Sequence, residues 1–371
     1  MDTKASDKPR LLLMGDARQV HLKRWAAYFD ESGFEVLSFS LERTDYYPGT
    51  IRYIRMPSFV PRFARYLLCV PAVKDLIHQF KPHVVNAHFA PNYGMIAAVA
   101  GRKPWVLSTW GSDIMTDPLK SPFHRMRTRF VLRRADYVTS DARVMTDEIQ
   151  SMGIPAERVL TFPYGVDLER FKPRDDPLEG GPRILSNRKL APVYGVSTLI
   201  DAFPAVREAF HQAALTVAGD GELRTELLTR AERSIARRAI VFVGDVDHHR
   251  MPALLHDHHI YVSMSLSDTT SVSLLEAMAC GLFPVVSDIP ANREWIEDGV
   301  NGRLVPVQQP MKLAMTLIEV WKDGAFRDGA IRANLALVRD KAEWHANMRG
   351  VRDLFERLAA PDKDAPTGSA A

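Results

Sequence analysis

The sequence predicts an α/β protein built from two doubly wound halves. Three observations carry that prediction. Short apolar runs of strand length recur along the chain, amphipathic helical stretches separate them, and one polar interruption near the middle is followed by the same rhythm again. At 371 residues, 46% hydrophobic and 25% charged, the chain is long enough for about two domains, each with its own core.

The first strand is RLLLM at 10–14, which ends at Gly15-Asp16. Such a run suits a strand buried on both faces of a parallel sheet. A helical pattern follows, with Val20, Leu22, Trp25, Ala26 and Phe29 near one face, and stops at Ser32-Gly33, where glycine suits a helix end. The alternation continues with strands at 34–39, 83–87, 105–109, 136–140 and 158–162, and helices near 93–101, 121–134 and 144–152. KPRDDPLEGGP at 172–182 holds three prolines, two glycines and no apolar period. It reads as a linker over 173–182 between an N-terminal domain at 10–172 and a C-terminal domain at 183–342. Beyond it, strands are predicted at 183–186, 215–219, 240–244, 260–265, 283–287 and 303–307. An amphipathic return helix is predicted at 343–360. The ends, 1–9 and 361–371, are polar or rich in Pro, Ala, Gly and Ser and are expected to be disordered.

Composition excludes several function classes. The 48 basic and 45 acidic residues leave a net charge of +3, too even for a dedicated nucleic-acid binder. Cys69 and Cys280 cannot build a disulfide framework or a four-cysteine zinc site, which points to a reducing, cytoplasmic setting. No apolar run reaches the roughly 18 residues of a membrane span, and MDTKASDKPR lacks the apolar core of a secretory signal. The basic residues nevertheless gather in the N-terminal half. Lys120 to Arg134 holds six Lys or Arg and no acid, and Arg52, Arg55, Arg62 and Arg65 mix with aromatic and apolar neighbours. A surface of that kind suits the inner face of an anionic membrane or a phosphate-bearing acceptor; an ordinary solvated helix face is the plain alternative.

The segment from Ser263 to Gly281, SMSLSDTTSVSLLEAMACG, carries the chemistry. A strand feeds a loop of small polar residues and then a helix, with Thr270 or Ser271 as N-cap and Val272 just inside. Free backbone N–H groups and the helix dipole there suit a diphosphate, and Glu276, about a turn further on, can accept from ribose hydroxyls. Gly15 opens a loop after the first strand and Gly244 closes the 240–244 strand, so both are candidate donor contacts. His88 falls at the C-terminal end of a strand, the end at which open α/β sheets bind ligands. Asp245-Val246-Asp247 is expected to be a polar turn rather than a metal site. Five histidines at 248–259 lack a zinc spacing and are expected on a surface helix and its end.

The segment at 263–281 resembles the signature of glycosyltransferase family 4. Asp268 and Glu276 stand where the family has two carboxylates separated by seven residues, Asp replacing the usual Glu, and the second lies in LLEAMACG at 274–281, similar to the family's helix. PYGVDLERFKP at 163–173, VAGDGEL at 217–223 and IEDGVNGRLVP at 296–306 are similar to further family segments in the same order. The resemblance implies the GT-B fold, two Rossmann-like domains facing a cleft, and a retaining transferase that uses a UDP- or GDP-linked sugar without a metal or other cofactor. It places the nucleotide on the C-terminal half and a glycan or lipid-linked acceptor on the N-terminal half. ILSNRKLAPVYGV (184–196) resembles the family's diphosphate-binding Arg…Lys stretch; in register Lys189 takes the Arg position and Tyr194 the Lys position, with Arg188 one residue earlier. Arg188 and Lys189 are therefore both candidate catalytic cations, and Asp268 the candidate carboxylate at the donor sugar. On the acceptor side, HLKRW resembles a family variant that marks His21. STWGSD, with Asp113 in place, has Trp110 where many members have a sugar-contacting His, so Trp110 either stacks on a sugar or packs in the core. Two other activities stay open on sequence grounds: a GT-B sugar-nucleotide epimerase, and a catalytically degenerate, membrane-associated relative.

Overall fold

The computed structural model describes residues 8–56, 59–176 and 178–360. The expectations for 1–7, Pro177 and 361–371 lie outside them, as do the side chains of Arg62 and Phe63. The chain forms two compact units. The first contains the described residues through Asp141, Met145–Phe162 and the residues from Met348 on; the second contains Ala142–Val144 and Pro163–Asn347. The division falls at Phe162/Pro163, ahead of the 173–182 stretch predicted as the linker. The reason lies in local bonds: Val166 N–H donates to Ala342 O (2.7 Å) and Phe171 is fully buried among residues of the second unit.

Among the described residues, thirteen strands make two fully parallel sheets. In the first unit they are β1 (Arg10–Met14), β2 (Glu35–Ser40), β3 (Thr50–Tyr53), β4 (Val84–His88), β5 (Trp105–Ser108), β6 (Tyr137–Ser140) and β7 (Val159–Thr161). Their order is β3-β2-β1-β4-β5-β6-β7. In the second unit β8 (Arg183–Ser186), β9 (Ala214–Ala218), β10 (Ile240–Gly244), β11 (Ile260–Ser263), β12 (Phe283–Ser287) and β13 (Arg303–Val305) run in the order β10-β9-β8-β11-β12-β13. Each order reverses once, between β1 and β4 and between β8 and β11, and ligands of open α/β sheets bind outside the strand ends at such a reversal.

The inner strands are mainly apolar and buried because helices cover both sheet faces. In the second unit Ile260 and Val262 enter one core with Leu199, Phe203 and Leu317, while Tyr261 between them enters the other with Leu275 and Met278. Each such fully buried Leu, Val or Phe contributes roughly 1.5–3 kcal/mol.

Fifteen α-helices are described. The first unit holds α1 (Val20–Glu31), α2 (Arg62–Leu68), α3 (Val70–Phe80), α4 (Met95–Ala100), α5 (Ser112–Met115), α6 (Pro122–Arg134) and most of α7 (Arg143–Ser151). The second holds α8 (Val196–Ala209), α9 (Arg224–Glu232), α10 (Met251–His256), α11 (Val272–Ala279), α12 (Pro290–Arg293), α13 (Pro310–Lys322) and α14 (Gly324–Lys341). The closing helix α15 (Trp344–Ala359) places Phe355 against Phe29 of α1, ring centroids 4.9 Å apart and nearly parallel. No helix among the described residues is long and apolar enough to cross a membrane.

Candidate functional site

The sheet reversal in the second unit gathers the residues expected to hold a nucleotide. The loop after β8 carries Arg188 and Lys189, and the loop after β11 carries Asp268 and the start of α11. Ser271 caps α11, its Oγ accepting from Leu274 N–H. The N–H groups of Val272 and Ser273 lie in the first helical turn, which has no acceptors inside the helix.

Arg188 and Lys189 have different places. Arg188 is buried, and its Nη2 donates to Asp268 Oδ2 at 2.6 Å, while Nη1 donates to Ser271 Oγ (2.6 Å) and Ser273 Oγ (2.7 Å). Its guanidinium lies 4.4 Å above the Tyr194 ring. Burial works against its charge, but Asp268, Tyr261 and Tyr194 hold its pKa above the ordinary arginine value. Lys189 is exposed. Arg188 thus ties Asp268 to the helix start from below, and Tyr194, in the expected lysine position, offers a π face to a cation.

Two glycines of VAGDGEL set the height of this loop. A Cβ on Gly219 (φ +121°) would lie 2.6 Å from Arg188 O, and one on Gly221 2.3 Å from Leu190 O. Asp220 O accepts from Leu190 N–H at 3.0 Å and Leu190 O from Leu223 N–H at 2.9 Å. Gly244 supports the same corner from the next strand, its carbonyl accepting from Gly219 N–H at 2.6 Å.

Glu276 is buried on the second turn of α11 and accepts from Nε2 of His248 at 2.8 Å. The five-histidine stretch is therefore not a plain surface helix. His248 faces Glu276, His258 is buried with Nε2 on Thr216 Oγ1 (2.8 Å), and His256 and His259 meet the carbonyls of Lys172 and Leu178. Each of these rings bonds a group from another part of the chain, a pairing that sequence spacing does not show. Asp245-Val246-Asp247 is a turn, Asp247 Oδ1 accepting from His249 N–H at 2.7 Å. Among the described residues no three His, Cys, Asp or Glu side chains gather to hold a metal ion.

In the first unit the reversal between β1 and β4 brings together Gly15, His21, His88, Trp110 and Asp113. A Cβ on Gly15 would meet Leu22 Cδ1 at 2.9 Å and His88 Cβ at 3.3 Å, so glycine permits the close approach. Trp110 stacks against His21 (centroids 4.4 Å) and His88 (5.3 Å), with Trp25 edge-on at 6.3 Å. Trp110 is half-buried, packed against these rings with part of its surface accessible. Asp113 is fully buried and accepts from the N–H groups of Trp110 and Ala90, both at 2.9 Å. It is a brace under the aromatic cluster, and burial pushes its carboxyl up to about 6.

His88 is fixed from behind. Asn86 Nδ2 donates to Val106 O and Ser108 Oγ, so its Oδ1 faces His88 Nε2 at 2.7 Å and places the ring proton there. Burial, with His21 beside it, pushes the His88 imidazole down to about 3, and the ring is neutral at physiological pH. The backbone bends sharply after it: Phe89 has φ +76°, and a π-turn runs over Phe89–Gly94.

Family models for glycosyl transferases group 1 and for the glycosyl transferase 4-like domain match residues 169–335 and 10–142. The chain belongs to the GT-B glycosyltransferases of the family 4 type. The phosphatidyl-myo-inositol mannosyltransferase of Mycobacterium leprae is 26% identical to this glycosyltransferase over 272 residues, 68% of this chain and 71% of that protein. Matches to several further curated relatives span 48–57% of those proteins' lengths. Among solved structures, sucrose-phosphate synthase from Thermosynechococcus elongatus is similar with a TM-score of 0.83 at 16% identity, over 95% of this chain and 99% of that one. Anabaena HepE in complex with UDP-glucose is similar at 0.79 and 17% identity, over 94% and 99%. These two likenesses carry the fold.

Proposed function

We propose that this glycosyltransferase moves a sugar, with retention of anomeric configuration, from a UDP- or GDP-linked donor to a glycan or lipid-linked acceptor. The observation that carries the reading is the corner at the second sheet reversal: a serine-capped helix start, a buried carboxylate on its second turn, and a second carboxylate, Asp268, tied to that helix start by Arg188. The donor's diphosphate lies on the Val272 and Ser273 N–H groups, with Lys189 beside it. Glu276 takes the ribose hydroxyls. Asp268, held by Arg188, faces the donor sugar.

As the glycosidic bond breaks, negative charge grows on the departing diphosphate. The acceptor hydroxyl attacks from the same face, and the departing phosphate oxygen takes its proton. Fixed dipoles and a cation aimed at that oxygen lower the barrier by several kcal/mol. In this reading Lys189 and the helix start supply the positive charge, and no metal is required. The acceptor binds the first unit near His21, His88 and Trp110. The mannosyltransferase name of the Mycobacterium leprae relative supports a lipid acceptor, and the UDP-glucose complex of Anabaena HepE supports a UDP-linked donor. The basic, apolar surface of α6 supports a reading in which the enzyme works against the inner, anionic face of a membrane.

A panel of UDP- and GDP-sugars, scored for thermal stabilisation and for released nucleoside diphosphate, tests the assignment. One donor should do both, and Glu276→Ala should weaken its binding by about 1–3 kcal/mol, the cost of lost hydrogen bonds to a charged group. Unchanged nucleotide affinity in that variant would remove Glu276 from the site.

A further inference from the structure

We propose that His248 positions the Glu276 carboxylate for ribose recognition: Nε2–H donates to Oε1 and leaves Oε2 to face the two ribose hydroxyls of a nucleoside diphosphate. The inference rests on the donor site proposed above and names a residue that acts through Glu276 rather than on the ligand.

Three observations lead to it. Glu276 is buried, and a buried carboxylate needs a donor to hold its rotamer and charge. Among the described residues, the hydrogen bond that meets it comes from His248, 2.8 Å away, and it is made to Oε1. A carboxylate only accepts, so Nε2 of His248 carries the proton and acts as donor. The imidazole is itself held in place. Asp247 Oδ1 accepts from His249 N–H (2.7 Å) and Asp247 O from Arg250 N–H (2.8 Å), which shapes the turn that bears His248. The Phe171 ring packs against the imidazole at 5.3 Å. The His248 side chain is 28% exposed, so the ring has solvent on one side and Glu276 on the other. A histidine braced by a capped turn and an aromatic ring fixes the orientation of the one carboxylate assigned to the ribose.

The measurement compares binding of UDP and GDP with that of their 2′,3′-dideoxy analogues by calorimetry, on the full chain and on His248→Ala, His248→Gln and Glu276→Ala. The wild type should bind a ribonucleotide about tenfold more tightly than its dideoxy analogue. His248→Ala should lose about three- to tenfold in ribonucleotide affinity and keep its dideoxy affinity within about twofold. His248→Gln, whose amide can donate at the same reach, should recover most of the loss. In the Glu276→Ala background, removing His248 should have no further effect.

Equal losses for both ligands in His248→Ala would mean a general structural role and overturn the proposal, as would no loss at all. Tighter ribonucleotide binding would also overturn it, because the imidazole would then be competing with the ribose. A wild type that binds neither nucleotide, or that does not separate ribose from dideoxyribose, would bring down the donor-site reading itself. A wild type that separates them while His248→Ala separates them equally well defeats the positioning role alone.

Discussion

At the scale of single residues, neighbouring cations in sequence have opposite environments. Arg188 is buried on Asp268, Ser271 and Ser273, with side-chain exposures of 9% for Arg188 and 16% for Asp268, while Lys189 points to solvent. Removing one member of such a buried pair strands the other and costs about 3–5 kcal/mol. Arg188→Met should therefore lower the unfolding midpoint in urea, with a loss of that order, and disturb Asp268. Lys189→Met should leave unfolding within about 0.5 kcal/mol and weaken binding of a nucleoside diphosphate more than of the nucleoside. Equal unfolding curves for the two variants would mean that Arg188 is not the internal tie it is drawn as. The sequence marked both cations without ranking them. Register put Lys189 in the expected position, but which of two adjacent side chains turns inward depends on the loop path, and that path is set by Gly219 and Gly221 pressing on its carbonyls. His248 was not legible at all: its partner Glu276 is 28 residues away and no periodicity joins them.

At the scale of elements, strands with continuous apolar runs were read within a residue or two. RLLLM, RILS, IVFVG and FPVVS match β1, β8, β10 and β12 at both ends. β3 was missed because TIRY is an edge strand with alternating exposure, and its polar residues gave no apolar run. The stretch holding α2 and α3 was read for its charge rather than for helices. The π-turn after β4 has no sequence signal, and a pH dependence originates at His88, the last residue of β4 before it. His88 in the native protein titrates near 3 against an ordinary 6.5, so in that window the unfolded chain binds a proton that the native chain does not. Stability must then fall as pH drops from 6.5 toward 3, by on the order of 3 kcal/mol by pH 4 from this group. Asp113 acts in the opposite sense: raised from 3.8 to about 6, it takes up its proton in the native state first, so acidification through that window stabilises. Of these two groups the histidine has the larger shift, and it sets the sign of their sum. His88→Gln should flatten or reverse the fall in urea stability between pH 6.5 and 4. Parallel pH profiles for wild type and variant would contradict a buried, neutral His88.

At the scale of the whole molecule, the even charge balance conceals an uneven distribution, and the first unit displays it. On α6 and the turn before it, Leu119 (71% exposed), Phe123 (62%), Met126 (63%) and Phe130 (42%) alternate with exposed Lys120, Arg125, Arg129 and Arg133. Val131, Leu132 and Thr128 supply the core-facing side of the same helix. A helix that already buries one face and still exposes large apolar groups among arginines meets both needs of an interfacial segment: area to insert and charge to hold an anionic surface. Each basic residue near such a surface contributes about 1 kcal/mol, within a screening length of about 8 Å at physiological salt. The chain should therefore sediment with phosphatidylglycerol-containing vesicles, not with pure phosphatidylcholine, and release as salt rises. Arg125→Gln, Arg129→Gln and Arg133→Gln combined should reduce that binding by about two orders of magnitude. Because these side chains are exposed and distant in sequence from the nucleotide corner, soluble donor binding should be unchanged. Sedimentation that ignores lipid charge, or persists in the triple variant, would show that this face is an ordinary solvated one and would leave the acceptor to be sought among soluble glycans.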